Sequence, residues 1–140
     1  MEECVGIYLE LFRSEPFSYT WLTKETALRY FSDLIKHPRF QGYVFYENGC
    51  LLGGCLGYTD DYFLAAQYEI KEIFIDVKRQ NGGLGSAFIK EIENDLIIKG
   101  IQFVTLLTQR SINAFNFYLK NGYETSEDTV FLSKRLSSPD

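Results

Sequence analysis

The chain is poor in the residues that staple or metallate small proteins. It holds three cysteines, Cys4, Cys50 and Cys55, and a single histidine, His37. The odd count, with no CxxC pair and no histidine at partner spacing, argues against a disulfide scaffold and against a metal site. Thiols in a reducing compartment are the expectation. Apolar runs long enough to cross a bilayer are missing. No basic-then-apolar segment opens the chain, where Met1-Glu2-Glu3 is acidic, so a cytoplasmic protein is expected. Basic excess is missing too: 14 Lys and Arg stand against 19 Asp and Glu, giving a net charge of -5. Nucleic-acid binding needs a basic face, so that class is set aside, while a cationic partner fits the charge. Repeats, linkers and low-complexity segments are absent.

What is present fits one globular domain. The 140 residues are 46% hydrophobic and 24% charged, near the globular norm. A chain this long can bury a real core without metals or disulfides. Aromatics reach 16%, with 12 Phe and 10 Tyr.

Hydrophobic spacing orders the elements. Val5, Leu9 and Phe12 mark a short helix over 4–14, broken at Ser14-Glu15-Pro16. Thr23 can cap a second helix carrying Ala27, Leu28, Phe31, Leu34 and Ile35 on one face, ended by His37-Pro38. Residues 43–46 and 51–58 read as strands around Asn48-Gly49, a hairpin signal because both residues tolerate positive φ. A long strand is expected over 68–77 and a helix from the glycine-rich turn at 80–86 to about Lys99. A buried strand follows over 101–108, then a helix capped by Ser111 and running through Lys120. A closing strand is expected over 129–136. The order α, α, β, β, β, α, β, α, β predicts an α/β fold of mixed α+β type: a mixed, mostly antiparallel, twisted central sheet flanked by about four helices.

The chemistry concentrates where the long strand runs into Gln80-Asn81-Gly82-Gly83-Leu84-Gly85-Ser86 and then a helix. Glycines let a ligand approach the backbone closely. The first amides of the helix lack intrahelical partners and sit at the positive end of its dipole, which suits a pyrophosphate. A triphosphate P-loop needs Lys and then Ser or Thr after the last glycine, and Ser86-Ala87 stand there instead. The dinucleotide fingerprint needs a third glycine that Gly83-Leu84-Gly85-Ser86-Ala87-Phe88 lacks. What remains is Gln/Arg-x-x-Gly-x-Gly, met by Gln80, Gly83 and Gly85. Farther on, Ala114-Phe115-Asn116-Phe117-Tyr118-Leu119-Lys120-Asn121-Gly122-Tyr123 fits a helix ending in Tyr-x-x-x-Gly-Phe, with Tyr123 in place of Phe.

On these two motifs, in this order and at this spacing, the chain resembles the GNAT N-acetyltransferases, well over residues 43–136 and loosely before them. The resemblance implies acetyl-CoA as donor and no metal. It places the pyrophosphate on Gln80, Asn81, Gly82, Gly83, Leu84, Gly85 and Ser86. The pantetheine arm would run along the strand backbone near Phe74, Ile75 and Val77, where family members splay two strands apart. Asn113 stands in for an asparagine that many members carry where this chain has Ser111. Tyr118 matches the tyrosine that serves the leaving thiolate. Members often dimerise through terminal elements, and the 129–136 strand could serve a homodimer here.

Acetyl transfer to an amine needs a base or a water chain to take the ammonium proton, and a donor for the oxyanion. Glu69 and Glu72 are the strand's candidates for the base. Three apart, they face opposite sides of an ideal strand, so one alone reaches the acceptor unless a bulge intervenes. Glu72 lies within the apolar run Ile70–Ile75, where burial raises a carboxyl toward a useful base. His37, ahead of a proline, reads as a capping or surface residue. Acceptor contacts are expected from Glu15, Phe17, Tyr19, Trp21, Asp60, Asp61 and Tyr62, because carboxylates pair with ammonium groups and aromatic faces stack on them. The stretch Ser14–Trp21, with Tyr68–Gly85, is similar to bacterial GNAT proteins related to aminoglycoside 6'-N-acetyltransferases. A small cationic acceptor of aminoglycoside or polyamine type is therefore the first expectation. A protein or peptide N-acetyltransferase, and a non-catalytic CoA-binding module, are the alternatives.

Overall fold

Glu2–Arg13 folds as helix α1 with Glu2 and Glu3 in its first turn and Arg13 in its last, the arrangement the helix dipole favours. Val5, Tyr8 and Leu9 form its buried stripe. The Arg13 guanidinium donates to the Leu22 carbonyl from Nε at 2.9 Å and from Nη2 at 2.6 Å, closing the loop to the next helix. Helix α2, Lys24–Ile35, starts at Thr23, whose hydroxyl accepts from the Thr26 amide at 3.1 Å as the capping rule requires. The computed structural model describes residues 1–15, 17–61, 65–80 and 82–138. It divides into two compact units, Met1–Thr108 and Gln109–Asp140.

In the first unit, strands β1 (Phe40–Glu47), β2 (Cys50–Asp60) and β3 (Gln67–Ile75) form an antiparallel meander. Asn48 and Gly49 turn the first corner with φ of 51° and 78°, the doubly left-handed geometry that this dipeptide signals. Helix α3 (Leu84–Ile98) then crosses back, and β4 (Phe103–Leu106) pairs parallel to β3, giving the order β1-β2-β3-β4. The sheet is mixed, open and mostly antiparallel, as the element order predicts.

Alternation assigns the two faces. Leu56 and Phe74 point toward α1 and α2 and join Val5, Tyr8, Leu9, Ala27, Phe31 and Leu34 in one core. Tyr43 and Phe45 point to α3: the Phe45 ring stacks on Phe88 at 5.1 Å, and the Tyr43 hydroxyl donates to Asp95 at 2.7 Å. In the β2–β3 ladder one residue breaks the alternation. Leu56 faces Glu72 but Gly57 faces Ile70, so Lys71 is an extra residue in β3. This bulge re-phases the strand on either side of it.

Four expectations change here. The long strand ends at Ile75, not Val77, because the Asp76 carboxylate accepts from the Lys78 amide at 3.0 Å and starts a 3₁₀ turn over Val77–Arg79. The strand expected over 101–108 is four residues long and lies at the sheet edge, with Phe103 48% exposed, so it is not buried. In the second unit, helix α4 is Asn113–Lys120 with Ile112 at its N-cap, and no side chain caps it, so Ser111 does not take that role. Residues 129–136 form no strand. Val130, Phe131, Leu132 and Leu136 are exposed there, without the buried face that fixes a strand in register.

Gly57 is the residue on which the bulge turns. A Cβ there would run into the Glu69 carbonyl oxygen and the Tyr68 ring. Gly57→Ala is therefore expected to cost about 1–3 kcal/mol in urea unfolding, the range for forcing extra volume into a packed site. An unchanged midpoint would show that the bulge yields freely.

Candidate active site

Glu72 stands where the bulge leaves it, on the α1/α2 face opposite Leu56. Re-phasing places Glu69, opposite Tyr58, on that same face. The two carboxylates that an ideal strand would send to opposite sides thus share one side. Glu69 pairs with Lys71 at 3.7 Å, and the Lys71 ammonium lies 5.8 Å from the centre of the Tyr58 ring. Glu72 lies deeper, half-buried, and accepts from the Tyr8 hydroxyl at 3.3 Å. Burial lifts its carboxyl from the ordinary 4.5 to about 7, while hydrogen bonds from Tyr30 and Tyr8 and the Lys71 charge pull it down. A carboxyl titrating there is in both forms near neutral pH, as a proton acceptor must be.

Beyond the bulge the sheet opens. The β3–β4 ladder runs from Gln67↔Phe103 to Ile70↔Leu106 and stops, while β3 continues to Ile75. The edge of Lys71–Ile75 that would face β4, with Phe74 and Ile75 in it, has no strand partner among the described residues. An extended ligand carrying amides can pair with such an edge.

The chain then passes through the 3₁₀ turn with Val77 into the glycine segment. Gly83 sits at the N-cap of α3 with φ of 77°, a conformation that side chains resist. The first backbone amide bonded within α3 is that of Ala87, to the Gly83 carbonyl at 3.1 Å. Leu84, Gly85 and Ser86 form the opening turn, and Gly82 precedes it. Together these put the positive end of a 15-residue helix just past the free edge of β3. The Gln80 amide donates to the Ile75 carbonyl at 3.2 Å, bracing this turn from within the chain. Asn81 lies outside the described residues.

The aromatic loop between α1 and α2 is built as a stack. Phe17 packs on Phe12 at 4.6 Å, Tyr19 lies parallel to Phe12, and Trp21 meets Tyr19 at 5.5 Å with two-thirds of its surface exposed. Glu15 and Asp61 are exposed, and Asp60 accepts from the Gln67 amide at 2.9 Å. Tyr62 lies outside the described residues. His37 stacks on Tyr58 at 3.9 Å and accepts from the Arg39 amide, a surface role as expected. In the second unit, the buried Tyr118 lies on α4 with Phe117 and Tyr123 against its ring, and Asn113 opens the same helix, exposed. Cys4, Cys50 and Cys55 are free thiols. Among the described residues no group of three His, Cys, Asp or Glu could hold a metal. No helix among them is long and apolar enough to cross a membrane.

Sequence spacing missed Tyr8 and Tyr30 as partners of Glu72. The signal was a hydroxyl on the apolar stripe of α1, three residues after Val5, where a buried polar group needs a partner. It also missed Arg13, whose charge is spent on a backbone carbonyl.

Residues 7–123 match the family model of the acetyltransferase (GNAT) family. The chain belongs to that family. Its reaction class is N-acetyl transfer, as the two motifs implied. No curated protein matches the sequence significantly. Among solved structures, an aminoglycoside acetyltransferase from an uncultured soil metagenomic sample, in complex with sisomicin, is 17% identical with a TM-score of 0.71, over 96% of this chain and 87% of that one. A transcriptional regulator from Bacillus halodurans C-125 has a TM-score of 0.76 at 13% identity, over 96% and 95% of the two chains. An aminoglycoside N-acetyltransferase in complex with CoA has a TM-score of 0.66 at 14% identity, over 94% and 86%. At these identities the likeness is one of fold.

The perturbed carboxyl has a consequence for stability. Between pH 4.5 and about 7 folded Glu72 keeps a proton that the unfolded chain has released, so its contribution falls as pH rises through that window. Glu72→Gln removes this dependence. Relative to wild type it should gain about 2 kcal/mol of stability from the low to the high end of the window, read by urea unfolding at both ends. An equal difference at both ends would show a carboxyl with ordinary affinity for its proton.

Proposed function

We propose that the chain, acting as one domain over residues 1–140, moves the acetyl group of acetyl-CoA to a primary amine of a small cationic molecule in a ternary complex. The observation that carries this reading is the half-buried Glu72, lifted to about 7, on the sheet face that packs against α1 and α2. The donor supplies an activated acetyl thioester. The chain's own groups supply the rest. The free edge of β3 at Phe74 and Ile75 pairs with the pantetheine amides. Val77 continues that path for the pantetheine arm, and Gln80, Asn81, Gly82, Gly83, Leu84, Gly85 and Ser86 receive the pyrophosphate. Glu72 accepts the proton of the acceptor ammonium, directly or through water, leaving a neutral nitrogen lone pair to attack. Glu69 on the same face is the second candidate for that step. Tyr118 provides the proton for the departing sulfur, and Asn113 contacts the donor from the same helix.

The acceptor class rests on Trp21, Asp60, Asp61 and Tyr62. The exposed face of Trp21 offers an aromatic surface to a cation, and the acidic residues offer charge of the right sign. Two solved neighbours are aminoglycoside acetyltransferases, which fits an acceptor of that kind or a polyamine. A cytoplasmic location and a homodimer complete the proposal.

Calorimetry with acetyl-CoA, followed by thiol release with kanamycin, spermidine and short peptides, tests the reading. Glu72→Gln is expected to bind acetyl-CoA within about twofold of wild type and to lose about 100-fold or more in turnover, the range for removing a general base. Gly83→Asp places a carboxylate at the anion site and should abolish binding. Binding with turnover on peptides alone would replace the small acceptor by a protein one. Binding without turnover on any amine would leave a CoA-binding module. No binding to wild type would sink the proposal.

A further inference from the structure

Two tyrosines on different helices converge on Glu72. The Tyr8 hydroxyl on α1 donates to Glu72 Oε1 at 3.3 Å, and Tyr30 on α2 favours the charged form of the same carboxylate. Packing does not require either oxygen. The Tyr8 ring meets Phe12 at 4.6 Å, Phe31 at 5.0 Å and Phe74 at 5.6 Å, ring contacts that a phenylalanine at position 8 would keep. Tyr30 meets Phe31 edge-on at 6.2 Å. A hydroxyl placed in such a surrounding costs free energy unless it finds a partner, and the partner here is Glu72.

We propose that Tyr8 is a positioning residue that holds the Glu72 carboxylate from α1, with Tyr30 on α2 supporting its charged form, so that the helices flanking the aromatic loop set the base's orientation. The inference rests on reading Glu72 as the base. Tyr8 occupies Oε1 and so fixes the rotation of the carboxylate plane. Both hydroxyls favour the charged form and oppose the effect of burial. Without them the carboxylate would be protonated over more of the neutral range. Other groups act on the same site. Lys71 on β3 also favours the charged form, with Glu69 drawing it away. From β2, Tyr58 lies beside Tyr30, with His37 stacked on its ring, and the buried Cys55 feels the Glu72 charge. Tyr19, from the loop after α1, acts on Tyr8. A change to phenylalanine at position 8 or 30 leaves each of these other groups in the chain.

The test titrates Glu72 directly. Protein labelled with ¹³C at glutamate carboxyls gives one resonance per residue, and Glu72→Gln identifies the one that belongs to Glu72. Tyr8→Phe and Tyr30→Phe should each raise its titration midpoint. The same variants should lower kcat/KM about three- to tenfold at about pH 6, the loss narrowing as pH rises past about 8. An unmoved midpoint in both variants overturns the proposal, and so does a loss of rate equal at every pH. A raised midpoint with an unmoved pH–rate profile supports the grip on Glu72 and overturns Glu72 as the base.

Discussion

Lys71 is one residue more than the β2–β3 ladder needs, and the site depends on that surplus. A regular strand would send Glu69 and Glu72 to opposite faces. With the bulge, both face α1 and α2, and Glu72 reaches the Tyr8 hydroxyl on α1. The bulge persists because Gly57 has no Cβ to press on the Glu69 carbonyl, and because Leu56 and Phe74 anchor the strand in the core beside it. A backbone irregularity is thereby converted into a perturbed carboxyl: burial raises it, the tyrosines restrain it, and the balance falls near neutrality.

The region proposed for the donor follows from a second departure from regularity. β4 pairs with β3 for four residues and ends at Leu106, while β3 runs on to Ile75. The Asp76 cap then turns the chain sharply enough that the glycine segment and the α3 N-terminus follow directly. Free edge, sharp turn and helix dipole thus form a continuous path along one stretch of chain. That is why the motif around Gln80, Gly83 and Gly85 was so informative as a sequence.

Much of this was legible before any coordinates. Periodicity placed α1, α2 and α3, and Asn48-Gly49 placed the first corner, because those signals are local and their causes lie within a few residues. The glycine turn into α3 was legible for the same reason. The bulge was visible only as a condition attached to Glu69 and Glu72, since it depends on which β2 residue stands opposite. The tyrosine partners of Glu72 were invisible because Tyr8 and Glu72 are 64 residues apart in the chain. The C-terminal reading failed for a related reason: Val130, Phe131 and Leu132 have strand character, but a strand needs a neighbour, and composition does not supply one.

The bare edge of β3 has a cost that catalysis does not show. An edge without a strand partner among the described residues is a template on which another chain can add a strand, the first step of sheet-to-sheet aggregation. This edge is short, it carries the charged residues Lys71 and Glu72, and a bulge twists it away from a flat pairing geometry. Those three properties are the ones that keep exposed strand edges from recruiting their own kind. The residue that aligns the carboxylates therefore also guards an open sheet edge against pairing with its own kind.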